Sequence, residues 1–143
     1  MRREFDVRWV RRPFDFPLHA LSGRIPRALR LTSAALGLMR KRLHGVLAQH
    51  GCRTTDHFAG FQMTGRFRTA ELVTLMSLIP EGSTELMCHP GRCGAALLGA
   101  RTRLKKSREH ELEALIAPEV KMAIAKNGIE LVNYLGLSAA LDE

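Results

Sequence analysis

The chain lacks any apolar run approaching the roughly 18 to 20 residues that cross a bilayer, and residues Met1 to Asp6 carry none of the apolar stretch of a signal peptide. The expectation is a soluble, cytoplasmic protein with no membrane span. Cysteine is scarce: Cys52, Cys88 and Cys93 are odd in number and form no C-x-x-C pair, which argues against a disulfide framework and a thiolate zinc site. Reduced thiols are the simpler reading. Acidic residues are sparse in the first third, where residues 1–53 hold 12 Lys or Arg against Glu4, Asp6 and Asp15; residues 54–143 hold 10 against 11. The net charge of +8 therefore comes from one end of the chain, and a general nucleic-acid surface is not implied. No aromatic interleaving supports nucleic-acid contact by the run Arg40-Lys41-Arg42, which reads as a solvated face.

What is present is ordinary for a globular domain. A chain of 143 residues with 45% hydrophobic and 25% charged content has about one domain's length and can bury a core. No internal repeat or low-complexity tract divides it.

The pattern of elements is that of an α/β protein. Phe5 to Val10 is rich in β-formers and reads as a strand, and Pro13 and Pro17 break any regular element beyond it. Leu29, Leu36, Leu43 and Leu47 recur at helical spacing and predict a helix from Pro26 to about Gln49, stopped by Gly51. A short strand is expected over Cys52 to Asp56, running into His57 to Phe61. Thr69 is a candidate N-cap for a helix carrying Leu72, Leu75, Met76 and Ile79, ended near Pro80. Ser83 to Cys88 reads as a second strand, stopped by Pro90 and Gly91.

Residues 92–106 show no clear period and are expected to form a long loop with one helical turn. Ser107 is placed to cap a helix whose first turn holds Glu109 and Glu111, favourable for the macrodipole, and Pro118 begins another. Asn127 and Gly128 close that helix, and Ile129 to Asn133 reads as a last strand. Strand, helix, strand, two helices, strand is the grammar of a parallel sheet.

In parallel α/β folds, sites gather beyond the C-terminal ends of strands. His89 follows Leu86-Met87-Cys88 there, and its imidazole can serve as proton donor, base or metal ligand; a surface histidine satisfied by a backbone carbonyl is the competing reading. Asp56 and His57 also read as a strand end, where Asp56 can orient an imidazole or bind a sugar hydroxyl, or simply form a turn or cap. Strand neighbours point to opposite faces. His19, His44, His50 and His110 are expected at the surface.

Four segments, Thr54 to Phe61, Pro80 to Gly91, Ser107 to Leu115 and Gly128 to Tyr134, resemble the YdjC-like family in order and spacing, and Val7 to Phe14 is similar to a further strand of it. That family includes carbohydrate deacetylases and a hopanoid-biosynthesis protein. The resemblance covers about Phe5 to Leu137 and only the C-terminal half of a member. It implies a TIM-barrel-like (β/α) fold, present here as one incomplete domain: a basic segment at 5–50, a βαβ-type part at 51–137 and a tail at 138–143.

The resemblance also implies a hydrolase that removes N-acetyl groups from an amino sugar or glycolipid with a divalent metal, Mg²⁺ or Zn²⁺. The family's metal ligands lie in its N-terminal half and are not expected in this chain. His89 falls on the position that would protonate the leaving amine; Asp56, His57, Arg66 and Arg92 would meet the substrate. Activity is then not expected of the chain alone, and self-association through exposed half-barrel edges is. A basic interaction module without catalysis and a truncated, functionless reading frame stand as alternatives.

Overall fold

The computed structural model describes residues 7–142. Its first segment runs extended: Trp9 bridges Arg53 in parallel, and Val10 N–H donates to the Arg53 carbonyl at 2.9 Å. Phe16 N–H reaches the Phe58 carbonyl at 2.9 Å farther along. The strand expected over Phe5 to Val10 appears only as the bridge at Trp9, with Phe5 and Asp6 outside the described residues. Pro13 and Pro17 supply no N–H, so this edge cannot pair regularly.

A 3-10 turn, His19–Arg24, leads to helix α1, Arg27–Gly37, and helix α2, Arg40–Gln49. The single helix predicted over 26–49 is thus two. Leu38 and Met39 break it with tight bonds, Leu38 N–H to Ala35 and Met39 N–H to Leu36, directly after Gly37, a residue of low helix propensity.

Strands β1, His57–Ala59, and β2, Thr84–Leu86, form a parallel pair in the register His57 to Thr84, Phe58 to Glu85 and Ala59 to Leu86. Between them runs helix α3, Thr69–Met76, with Thr69 as its first residue and no side-chain cap. The first strand therefore begins later than the pattern over Cys52 to Asp56 predicts. Arg12 donates from its guanidinium to the carbonyls of Thr55 and Asp56, and Asp56 turns to Ser83, which draws these groups out of a regular ladder.

Beyond β2 come helix α4, Ala95–Gly99, α5, Lys106–Ile116, α6, Pro118–Lys126, and α7, Tyr134–Asp142. The loop with one helical turn matches α4, and Pro118 starts α6 as expected, with Gly128 at φ +63° closing it. The last strand is a correction: Ile129 to Asn133 is irregular. Leu131 and Val132 face solvent, and an extended segment without a partner leaves its backbone groups to water. Asn133 Oδ1 instead accepts the N–H groups of Leu135 (3.0 Å) and Gly136 (2.9 Å), an N-cap that starts α7.

The core lies between α3, α5, α6 and the 3-10 turn, and includes Leu21, Met63, Phe67, Leu72, Leu75, Ala114 and Val120. Phe67, Leu72 and Leu75 are fully buried, each contributing about 1.5–3 kcal/mol. This packing fixes the ends of β1 and β2, where the polar residues gather.

Candidate functional site

The two strand ends approach each other closely. Met87 N–H donates to the Ala59 carbonyl at 2.8 Å, and Gly60, at φ +128°, brings its Cα so near that a Cβ would lie 2.2 Å from the Met87 oxygen. Only glycine fits both constraints. The chain then loops through Phe61 to Arg66, and a carboxylate anchors each end of this loop.

Asp15 holds the first. It is nearly buried and accepts three consecutive N–H groups, Gly60 at 2.7 Å and Phe61 at 3.1 Å on Oδ1 and Gln62 at 2.9 Å on Oδ2. Burial pushes its carboxyl above the usual range, against the pull of those donors. Glu111 holds the second end. It is fully buried on α5; its Oε1 accepts Gly65 N–H at 2.7 Å and its Oε2 accepts His89 N–H at 2.6 Å. One carboxylate thus ties the loop after β1 to the turn after β2.

The turn has a second tie to the same helix, since Gly91 N–H donates to the Arg108 carbonyl at 3.1 Å. His89 is half-buried between these anchors. Its Nδ1 is buried with no hydrogen-bond partner among the described residues, an uncommon state for a polar atom. Burial, and secondarily Glu111, push the neighbouring Cys88 thiol up, which keeps it from the reactive thiolate form.

Of the residues singled out in the sequence, His89, Arg66 and Arg92 lie beyond the C-terminal ends of the strands, with Arg66 and Arg92 exposed on the flanking loops. Asp56 and His57 do not join them. They stand at the start of β1, the other end of the parallel pair, so the strand-end placement expected for them is corrected. Asp56 Oδ2 accepts Ser83 N–H (2.9 Å) and Oγ–H (2.7 Å), and these bonds hold its carboxyl below the usual range. His57 Nε2 lies 3.2 Å from the Glu81 carbonyl, and its ring meets Phe16 edge-on at 6.4 Å. Their contacts are those of a strand start.

Sequence reasoning missed Glu111 and Asp15. Glu111 reads as a first-turn acid complementing the dipole, and no local signal shows that its face turns inward. His110, expected at the surface, is half-buried, with Nδ1 lacking a hydrogen-bond partner among the described residues. For Asp15, the signal was its place between Phe14 and Phe16, both buried with it.

The divalent metal implied by the family resemblance does not fit the donors around His89. Both Glu111 oxygens already accept backbone N–H groups, and the Cys88 thiol is pushed away from ionisation. Among the described residues, no group of three or more His, Cys, Asp or Glu is arranged to hold a metal ion.

Fold and site together define an α/β protein whose polar residues converge beyond a parallel strand pair. The chain belongs to the YdjC-like family, described as YdjC-like protein, which matches residues 1–126. It is 33% identical over 101 residues to a carbohydrate deacetylase of Mus musculus, covering 61% of this chain and 33% of that protein. The carbohydrate deacetylase of Homo sapiens is 31% identical over 101 residues, covering 61% of this chain and 31% of the relative. A crystal structure from Enterococcus faecalis V583, of a candidate cellobiose-phosphate cleavage protein, matches at a TM-score of 0.56 and 29% identity, over 75% of this chain and 47% of that one. The matched region is about a third of the length of the curated relatives.

Proposed function

We infer that this chain forms one wall of a carbohydrate-deacetylase site, with His89 as the group that hands a proton to the leaving amine of an N-acetylated sugar or glycolipid. The observation that carries the reading is the Glu111 carboxylate, which grips the His89 and Gly65 backbones at once. A buried charge that accepts two backbone donors holds a turn in place, and positioning within a fraction of an ångström is what proton transfer demands. Imidazole is the side chain suited to that transfer near neutral pH. Arg66 and Arg92 flank it and are suited to sugar hydroxyls. The similarity to two carbohydrate deacetylases supports the substrate class.

The fold in this reading is the C-terminal half of a TIM-barrel-like domain, and Mg²⁺ or Zn²⁺ would be held by family positions outside the residues described. Residues 1–143 then turn over no substrate by themselves. Incubating the purified chain with N-acetylchitobiose and either metal should release no acetate; metal-dependent release abolished by His89→Ala would overturn the inactivity. Sugar contact is tested separately by NMR. Titrating N-acetylchitobiose should shift His89, Arg66 and Arg92 while leaving Asp56 and His57 in place, and shifts confined to the strand starts would overturn the site.

A further inference from the structure

Between Asp15 and Asp56 the sequence holds seven Arg or Lys residues and no acid. Arg27, Arg30, Lys41 and Arg42 are exposed on α1 and α2. Arg24 lies 3.5 Å from Glu71, and Arg40 covers the Phe14 ring at 5.4 Å. An apolar stripe runs beside Arg27 and Arg30 on α1. Leu31, Ala34, Ala35 and Leu38 recur at the spacing of one helical face, and Leu31, Ala35 and Leu38 are exposed.

Leu38 keeps helical angles, φ −63° and ψ −27°, so the stripe continues off α1 into the turn. Leu31 is 72% exposed, Leu38 86% and Met39 55%. The opposite side of α1 is already used: Leu29 and Leu36 are half-buried, and Leu29 packs on the core. The helix cannot roll its outer stripe inward without withdrawing its inner one. The apolar pair in the turn is followed at once by Arg40, Lys41 and Arg42.

We propose that this face is a docking surface for an anionic lipid membrane, with Leu31, Leu38 and Met39 entering the acyl boundary and Arg27, Arg30, Lys41 and Arg42 meeting headgroup phosphates. A headgroup plane offers negative charge directly above an apolar layer, and a basic amphipathic helix lying in it satisfies both. Other occupants fit less well. A second copy in two-fold contact would press this acid-free stretch against itself. A single-stranded nucleic acid calls for aromatic stacking platforms, and α1 and α2 contain no Phe, Tyr or Trp. Among the described residues no helix is long and apolar enough to cross a membrane, so the contact lies on the surface. The proposal does not rest on the deacetylase reading.

The test is sedimentation of the full chain with vesicles of phosphatidylcholine alone and of equimolar phosphatidylcholine and phosphatidylglycerol. Binding is expected to the anionic vesicles and to fall with added salt. Lys41→Gln with Arg42→Gln should weaken it about fivefold per cation removed, and Leu38→Ser with Met39→Ser about tenfold or more. Met122→Ser, an equally exposed change on α6 (63% exposed), should leave it unchanged. Circular dichroism checks that each variant folds. Equal binding to neutral vesicles, no binding to either, or wild-type binding by both double variants overturns the proposal. So does tighter capture by polyuridylate that ignores the Leu38 and Met39 changes, which would indicate nucleic acid, or a dimer that those changes disperse, which would indicate self-association.

Discussion

Glu111 has no exposed surface, and its two oxygens are satisfied by the N–H groups of Gly65 and His89. Glu111→Ala would leave both donors buried without acceptors, at a cost of about 2–4 kcal/mol. Thermal unfolding should show a clear fall in Tm, with Glu111→Gln milder because its amide oxygen keeps one donor; a loss under about 1 kcal/mol in the alanine variant would remove Glu111 as the clamp of the site. Tyr134 offers a second test. Its phenol donates to Glu85 Oε2 at 2.7 Å, and burial, then that bond, push it up to about 12 from 10.0. It is the one tyrosine in the chain, so phenolate absorbance reads it alone. The midpoint should lie near 12 and drop toward the ordinary value in Glu85→Gln. Because the folded value is the raised one, its contribution to stability is present below pH 10 and lost as pH rises through about 12.

The junction of β1 and β2 shows how an element depends on a residue with no side chain. Gly60→Ala would place a Cβ against the Met87 carbonyl oxygen, 2.2 Å away, at a backbone φ of +128°. Strain and overlap act together, so the variant should lose about 3 kcal/mol or more, read as a lower denaturation midpoint with an unchanged slope. Gly94→Ala, with nothing within 4 Å of the added carbon, is the control. Helices α3 and α6 follow the apolar spacing and proline placement visible in the sequence, because those signals are local, whereas Ser107 does not cap α5, which begins at Lys106 without a side-chain cap. The segment at 129–133 does not follow its β-rich composition. Strand formation requires a neighbouring edge, and Asn133 caps a helix where a strand would otherwise run on. Trp9 joins α7 to the first extended segment, its Nε1–H donating to Ser138 Oγ at 2.7 Å and its ring 5.4 Å from that of Tyr134.

Burial is uneven across the molecule. Helix α3 carries four buried residues, Glu71, Leu72, Leu75 and Met76, whereas α1 carries none and α2 only Leu47. Segments with few buried contacts open most readily, so native-state hydrogen exchange should protect α3 and α6 most and α1 least. Uniform protection through α1 and α3 would contradict that gradient. The same unevenness leaves the basic face of α1 and α2 available to a partner.

The α/β class, the helices at α3, α5 and α6, the basic first third and the family were legible in the amino-acid order, because periodicity, proline and glycine placement, charge counts and motif spacing all reside in short stretches of chain. His89 was legible as a site candidate for the same reason, a histidine between an apolar strand and a proline-glycine turn. Tertiary packing decided the rest. It moved Asp56 and His57 to the far end of the strand pair, turned Glu111 from a helix-end acid into the buried clamp of His89, and used Asp15 to gather three backbone donors. Those outcomes depend on which surfaces exclude water and which distant N–H groups need an acceptor, and both are set only when α5, the first extended segment and the strand ends come together.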